Sequence, residues 1–456
     1  MYGPYFGQEW PKIRIALQCQ LKYCAVINNF SSRADDSKRK LEDLRAFNLF
    51  EAELMANRSS SADTQRQHKN SQFKHSGSFE SDSYHPRQTT DAVSGRDTAA
   101  KDEDGSNASV STAGADDAAS ALSNVEGATE HANSCDQHPS SSPDTTPTGN
   151  ADIYDFVPAT KLRGPSIERE EKFQTDYGYI FEKPREVRRE ECMHAYQRVP
   201  ERLKAYVYKK GDLSLFPPPR TDISKILDYY LMDASSILPT LALDLKFGNT
   251  VLDLCAAPGG KTLTMLQQED LGGLLCNDVS FSRLRRLRSV LKSYVPATVQ
   301  ERMAITTSHL PGDRVAPYSS FNKVLVDVPC TTDRQSMLVE DNNWFSTSRT
   351  KERHQLPELQ ARLLCDGIRA VKVGGIVVYS TCSLSPIQND GVVQMALQTL
   401  WEKSSIDVVI RNLDPVQQQF EDFFSFYSGC RYGQLVVPTL LSNFGPMYFC
   451  KIERVK

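Results

Sequence analysis

The sequence predicts an α/β protein of Rossmann-like type, carrying an N-terminal helical extension and one long disordered insert. Two observations lead there. From about Thr221 onward, short apolar runs alternate with amphipathic helical ones, the pattern of a parallel sheet covered by helices on both faces. Before that, over residues 57–150, the chain turns to Ser, Thr, Asp, Ala and Gly, with 7 basic against 14 acidic residues. Such a segment buries too little apolar surface to offset its chain entropy and is read as disordered.

Taken in order, residues 1–56 form the extension. The run 11-PKIRIALQCQLKYCAVINNF-30 is followed by a helical pattern in 36-DSKRKLEDLRAFNLFEAELM-55, where Leu41, Leu44, Phe47 and Phe50 recur every three residues. Residues 151–220 are mixed, rich in charge and tyrosine, and stop at Pro217–Pro219. The main domain spans 221–456. There 222-DISKILDYYLMDASSILPTLAL-243 reads as a helix, TVLDLCAAPGG as strand and glycine turn, and KTLTMLQQ as a helix. GGLLCNDVS is a strand, and SRLRRLRSVLKSYV a helix with Leu284, Leu287 and Leu291 on one face. MAITTS, NKVLVDVPC and GIVVYSTCSL are further strands, the last two separated by a helix from about Leu356 to Val371.

Composition narrows the classes. Net charge is −4, and residues 221–456 balance 24 basic against 24 acidic side chains, so a nucleic-acid surface there must be a local patch. Eleven cysteines without a CxxC argue against structural zinc and against a disulfide framework, and for a reducing compartment; no metal is expected. No apolar run reaches the ~18 residues of a membrane span, and the first twenty residues lack a signal-peptide core.

The stretch 253-DLCAAPGGKT-262 ends like a phosphate loop, but Cys255 stands where that loop needs its first glycine. Pro258 also removes a backbone N–H from the cradle. The stretch fits better as the glycine turn of an S-adenosylmethionine pocket, where backbone must come close to the donor. A carboxylate at the tip of the second strand then takes the ribose hydroxyls, and Asp278, 25 residues beyond Asp253, stands there. By itself Asp278 also reads as a cap beside Ser280.

Three side chains close neighbouring strand tips: Asp327, Cys330 and Cys382. Singly, each thiol reads as a small buried hydrophobe. Together beside a methyl donor they match cytosine chemistry. A thiolate adding to carbon 6 makes carbon 5 nucleophilic, an acid at N3 assists, and a second thiol helps elimination after methylation. Methylation of an exocyclic amine instead asks for Asp/Asn-Pro-Pro-aromatic, and this tip is Asp-Val-Pro-Cys. Cys255, Cys276 and Cys365 lie within apolar runs and read as core.

The segments 253-DLCAAPGGKT-262, 327-DVPC-330, 379-YSTCSL-384 and 233-DASSILP-239 resemble motifs of the Nop/Sun (NSUN) RNA cytosine-5 methyltransferases, in family order. The runs 325-LVDVPCTTDRQS-336, 442-SNFGPMYFCK-451 and 10-WPKIRIALQCQLKYCAVINNF-30 resemble the branch acting on mitochondrial small-subunit ribosomal RNA. The resemblance implies an S-adenosylmethionine-dependent methyltransferase fold with Cys382 as nucleophile, Cys330 in product release and Asp327 against the base. It implies donor contacts from Cys255, Ala256, Pro258, Gly259, Gly260, Lys261, Asp278, Arg283 and Asp327. It also implies a ribosomal RNA substrate, a mitochondrial matrix location and a termination-factor-like protein partner. The chain departs from the family at 308-SHLPGD-313, where an Asp-Gly pair is usual, which puts the adenine contact implied there in question; Asp313 is a weak candidate substitute. The basic run Arg283, Arg285, Arg286, Arg288 and Lys292, and the segment 183-KPREVRR-189, are candidate RNA tracks or solvated surface. The rival class is a non-catalytic ribosome-assembly factor that keeps the fold and RNA surface.

Overall fold

The structure, a computed structural model, describes residues 2–51, 189–190, 198–315, 317–340 and 343–456. The expectation of disorder over 57–150, and that of a phosphate-touching segment ahead of Arg189, fall outside the described residues. Those residues lie in one compact unit that joins the chain on either side of the insert.

After a one-turn helix at Gly3–Phe6, the N-terminal part holds helix α1 (Trp10–Gln18), strand β1 (Cys24–Ile27) and helix α2 (Ala34–Asp43). Strands β2 (Phe47–Asn48), β3 (Ala205–Val207) and β4 (Tyr229–Met232) complete an antiparallel sheet ordered β2-β3-β1-β4. Alternate side chains face opposite ways along a strand. Cys24, Val26, Ala205 and Val207 accordingly join the main core, while Ala25, Ile27, Tyr206 and Tyr229 pack with Leu41 of α2 in a smaller cluster.

Two helical readings are corrected here. The three-residue recurrence through Phe50 does not stay helical: α2 stops at Asp43, Arg45 takes a left-handed φ of 64°, and Leu44 is 43% exposed. Phe47 and Asn48 then pair with Val207 and Tyr206, so strand pairing overrides the local pattern. Within 222–243, Tyr229–Met232 is strand β4 on β1, and helix resumes only at Ala234–Ile237 and Leu238–Ala242.

The large sheet holds β5 (Thr250–Asp253), β6 (Gly273–Asn277), β7 (Ile305–Ser308), β8 (Phe321–Asp327) and β9 (Val371–Thr381), each parallel to its neighbours among these five. Further strands are β10 (Val408–Arg411), β11 (Ser425–Tyr427), β12 (Gln434–Val437) and β13 (Met447–Arg454), with antiparallel β13 lying between β9 and β12. The spatial order is β11-β12-β13-β9-β8-β5-β6-β7, with β10 on β13. Successive residues feed different cores: Val251, Leu325 and Val378 enter one, Leu252, Val324 and Val377 the other. A sheet buried on both faces explains why these strands read as continuous apolar runs.

Helices α3 (Gly260–Gln268), α4 (Phe281–Tyr294), α5 (Asp333–Leu338), α6 (Thr350–Ala370) and α7 (Val392–Lys403) cover that sheet. Helix α6 starts six residues earlier than the apolar pattern suggested and continues through Pro357. At its far end Gly367 lies so close to β8 that a Cβ would sit 2.5 Å from Val326 Cγ2. Strand order reverses between β5 and β8, and such a switch point opens a crevice at the C-terminal strand ends.

Candidate active site

The crevice is built first by the turn after β5. Asp253 ends the strand, the Ala257–Pro258 peptide is cis, and Gly259 adopts φ 114° before α3 begins. Only glycine takes that conformation without strain. A Cβ on Gly259 would also stand 2.9 Å from Leu287 Cδ1, so this glycine admits α4 against the turn. Gly260 faces the crevice wall, where a Cβ would meet Tyr230 Cε1 at 3.1 Å.

Asn277 fastens the surroundings. Ala256 N donates to its carbonyl at 2.7 Å, and its Nδ2 donates to the carbonyls of Leu254 and Leu310. The loop 308–313 is thus tied to the end of β6 through Leu310, while Asp313 is exposed at its far end. The next residue, Asp278, is buried; its Oδ1 accepts from Ser280 N at 2.9 Å, while Oδ2 accepts no hydrogen bond. Arg283 Nη2 lies 3.5 Å from that oxygen and donates to the carbonyl of Ala257, holding turn and carboxylate together.

A cleft of about 170 Å³ lies over the turn, lined in part by Asp253, Cys255, Ala256, Pro258, Gly260, Lys261 and Asp327. Tyr230, Met232 and Ser236 close its other side; the sequence did not single them out because they arrive from the small sheet and the short helix after it. These residues fit an S-adenosylmethionine. The turn is free of side chains where the donor's main chain must approach, and Asp278 keeps a buried acceptor for a hydroxyl.

The parallel register of β8 and β9 sets Asp327 opposite Ser380. Cys330 and Cys382 therefore emerge at one level, their Sγ atoms 3.1 Å apart. Cys330 is buried and Cys382 half-buried, so Cys382 is the more accessible of the two thiols. Asp327 accepts from Lys261 Nζ at 2.8 Å on Oδ2 and from Ser380 Oγ at 2.7 Å on Oδ1. Burial works against the Lys261 charge, but Asp327 outweighs it and holds the ammonium above its usual range. The Cys382 thiol is pushed well up, first by its hydrogen bond with Cys330 and then by burial, with Lys261 pulling the other way. Cys276 and Cys365 are packed in the cores as the sequence suggested, whereas Cys255 also faces the cleft.

A set of polar side chains packed behind the thiol-bearing turns escaped the sequence reading. Gln388 Oε1 accepts from Thr331 N at 3.2 Å, and Gln360 Nε2 donates to the Pro329 carbonyl at 2.8 Å. Thr381 Oγ1 donates to Asn389 at 2.6 Å. Gln388 and Asn389 belong to a π-turn at Ile387–Gly391, an irregularity common near functional sites. The only sequence signal was a run of amides following the Thr-Cys pair.

A family model described as 16S rRNA methyltransferase RsmB/F matches residues 240–429. A 5-cytosine rRNA methyltransferase NSUN4 of Xenopus tropicalis is 50% identical over 259 residues, covering 56% of this chain and 63% of that protein. The 5-cytosine rRNA methyltransferase nsun-4 of Caenorhabditis elegans is 32% identical over 464 residues, covering 100% of this chain and 90% of its own length. The chain belongs to this family of RNA cytosine-5 methyltransferases. A mitochondrial tRNA (cytosine(34)-C(5))-methyltransferase of Mus musculus is 36% identical over 56% of this chain and 71% of its own. The match to the frog member of the family thus spans under two thirds of that relative, whereas the nematode match covers all of this chain and 90% of that protein.

Proposed function

We propose that the protein transfers methyl from S-adenosylmethionine to carbon 5 of a cytosine in ribosomal RNA. The observation that carries this reading is the pair of thiols 3.1 Å apart, beside the Lys261–Asp327 pair that lines the glycine-turn cleft. The donor, when bound, supplies an electrophilic methyl group; Gly260 in the cleft wall, with Gly259, Asp278 and Arg283 at the turn beside it, would hold it.

Cys382, the more accessible of the two thiols, is the nucleophile, acting as thiolate once its proton has passed to solvent. Its sulfur bonds carbon 6 of an unstacked cytosine while the 5,6 double-bond electrons make carbon 5 nucleophilic. Both Asp327 oxygens are acceptors in this structure, so the proton that assists at N3 comes from the ammonium of Lys261 through the pair. After carbon 5 has gained its methyl, it loses its proton to Cys330, which receives it as the thiolate. The carbon–sulfur bond then breaks with its electron pair leaving on the Cys382 sulfur, the 5,6 double bond returns, and N3 gives its proton back to the Lys261–Asp327 pair. Because the resting Cys382 thiol is held protonated, the reaction speeds up as pH rises through neutrality, until the thiolate dominates.

The finer reading places the protein in the mitochondrial matrix, in ribosome assembly, with a termination-factor-like protein partner. The relatives' names support the substrate class and, for the mouse protein, the compartment. Denaturing gel electrophoresis of variants incubated with labelled ribosomal RNA and donor tests the chemistry. Cys330→Ala should leave a covalent protein–RNA band, and adding Cys382→Ala should abolish it. A band that survives without Cys382 would reassign the nucleophile. No band from a Cys330→Ala protein that binds donor would favour a non-catalytic assembly factor.

A further inference from the structure

The two thiols are held at their spacing by a carboxylate that lies outside the reacting trio. Asp333, the first residue of α5, is 1% exposed and accepts from both cysteine-bearing segments. On one side Thr331 Oγ1, next to Cys330, donates to Asp333 Oδ1 at 2.5 Å. On the other, Leu384 N, two residues after Cys382, donates to Oδ2 at 2.6 Å, and Ser383 Oγ reaches the same oxygen at 3.3 Å. Thr331 and Ser383 hydroxyls also meet at 2.8 Å, closing a ring across the two strand ends. The fourth donor comes from far away in sequence: Tyr2 hydroxyl donates to Oδ2 at 2.9 Å.

The turn that carries Cys330 requires such a clamp. Thr332, a β-branched residue, sits at φ 41°, ψ 57° in the left-handed region that such side chains avoid. Strained backbone persists only where its surroundings over-determine it. Here the surroundings are Asp333, Gln388 on Thr331 N and Ser336 Oγ on the Thr331 carbonyl.

We infer that Asp333 is a positioning residue for product release: it fixes the Cys330 turn against the end of the Cys382 strand, so that the release thiol stands beside the adduct. This rests on the two-cysteine reading proposed above. It makes a claim that reading does not, because weakening the clamp on the Cys330 side slows release while leaving addition through Cys382 in place. The covalent adduct then accumulates in a protein whose Cys330 is intact.

The test uses the full chain with labelled ribosomal RNA and S-adenosylmethionine, read by methyl turnover, covalent band and donor titration. Thr331→Val removes the hydroxyl donor with little change of shape, Asp333→Asn disturbs both halves of the clamp, and Thr331→Ser restores the donor. Misplacing a catalytic group by about 1 Å costs on the order of a hundredfold. Thr331→Val and Asp333→Asn should therefore lose roughly tenfold to a hundredfold in turnover and show a covalent band, with donor affinity unchanged. Thr331→Ser should turn over like the parent without a band. If Asp333→Asn fails to fold, Thr331→Val decides alone. Turnover lost together with donor affinity and without a band would overturn the inference, as would parental turnover in both variants. Cys330→Ala run alongside separates the two levels. A band there but none in the clamp variants sinks only the role of Asp333, while no band there sinks the two-cysteine reading beneath it.

Discussion

Asp253 illustrates what one buried carboxyl does to such a site. It ends β5 at 1% exposure, accepts from Thr262 Oγ1 at 2.7 Å on Oδ2, and has no hydrogen bond to Oδ1. Burial chiefly, with Asp327 and Asp278 adding repulsion and Thr262 opposing it, pushes the group up to about 7. A carboxyl raised on folding favours the protonated native state. Its contribution to stability is full below the unfolded value near 3.8 and is lost as pH rises through about 7. Asp253→Asn keeps an acceptor for Thr262 and removes the charge. Urea unfolding at pH 5 and pH 8 should show the parent losing stability over that interval and the variant holding level, a difference on the order of 3 kcal/mol at pH 8. Equal slopes in both proteins would show that Asp253 does not titrate as its burial implies. Asp253 was legible in sequence as the head of the glycine turn, but its titration was not, since burial beneath Thr262 depends on how α3 docks.

At the scale of elements, the sequence disclosed most where local chemistry and tertiary structure agree. The apolar strands and the glycine turn were visible because two-sided burial and backbone approach each demand particular residues. So were the cysteines at the tips of β8 and β9. The segments at 44–50 and 229–232 were not, because their fate is decided by partners distant in sequence: Phe47 pairs with Val207, and Ala25 with Leu231. Gly259 falls between these cases. Its sequence context announced a donor turn, whereas the structure shows that its missing side chain makes room for α4. Gly259→Ala must bear a left-handed φ of 114° and a Cβ 2.9 Å from Leu287. Strain and overpacking of this kind cost roughly 1–3 kcal/mol each. Thermal unfolding should fall by several degrees, and calorimetric donor titration should weaken as the turn moves from Asn277 and Arg283. A variant with lowered melting and parental donor affinity would mean that the glycine serves helix packing alone.

Across the whole molecule, the N-terminal extension is part of the wall behind the reacting groups. Tyr2, Phe6, Ile13 and Leu17 enter the same core as Val326 and Tyr379. Residues in contact here are separated by more than 300 positions, which periodicity and spacing cannot reveal. Arg334, one residue beyond the clamp at Asp333, concentrates the connection. Its buried guanidinium donates to the carbonyls of Ala16 and Cys19 at the end of α1, to Gly445 O at 2.8 Å and to Asn443 Oδ1 at 2.8 Å. It thereby joins the extension and the loop before β13 to the turn that bears Cys330. Arg334→Met keeps a long apolar stem but strands Gly445 O and Asn443 Oδ1, since Ala16 O keeps Cys19 N and Cys19 O keeps Asn443 Nδ2 as donors, and each buried group left without its partner costs about 1–3 kcal/mol. Asn443 also donates to the carbonyls of Cys19 and Gln20, so part of the junction survives the change. The expected result is a loss of roughly 3 kcal/mol overall, with amide exchange rising first over residues 10–22 and 442–446 while β5 and β9 stay protected. Turnover should fall along with that local loosening, because the α1 end and the Cys330 turn share one side chain. Uniform acceleration of exchange through both sheets would instead show that the extension and the catalytic core unfold as one unit.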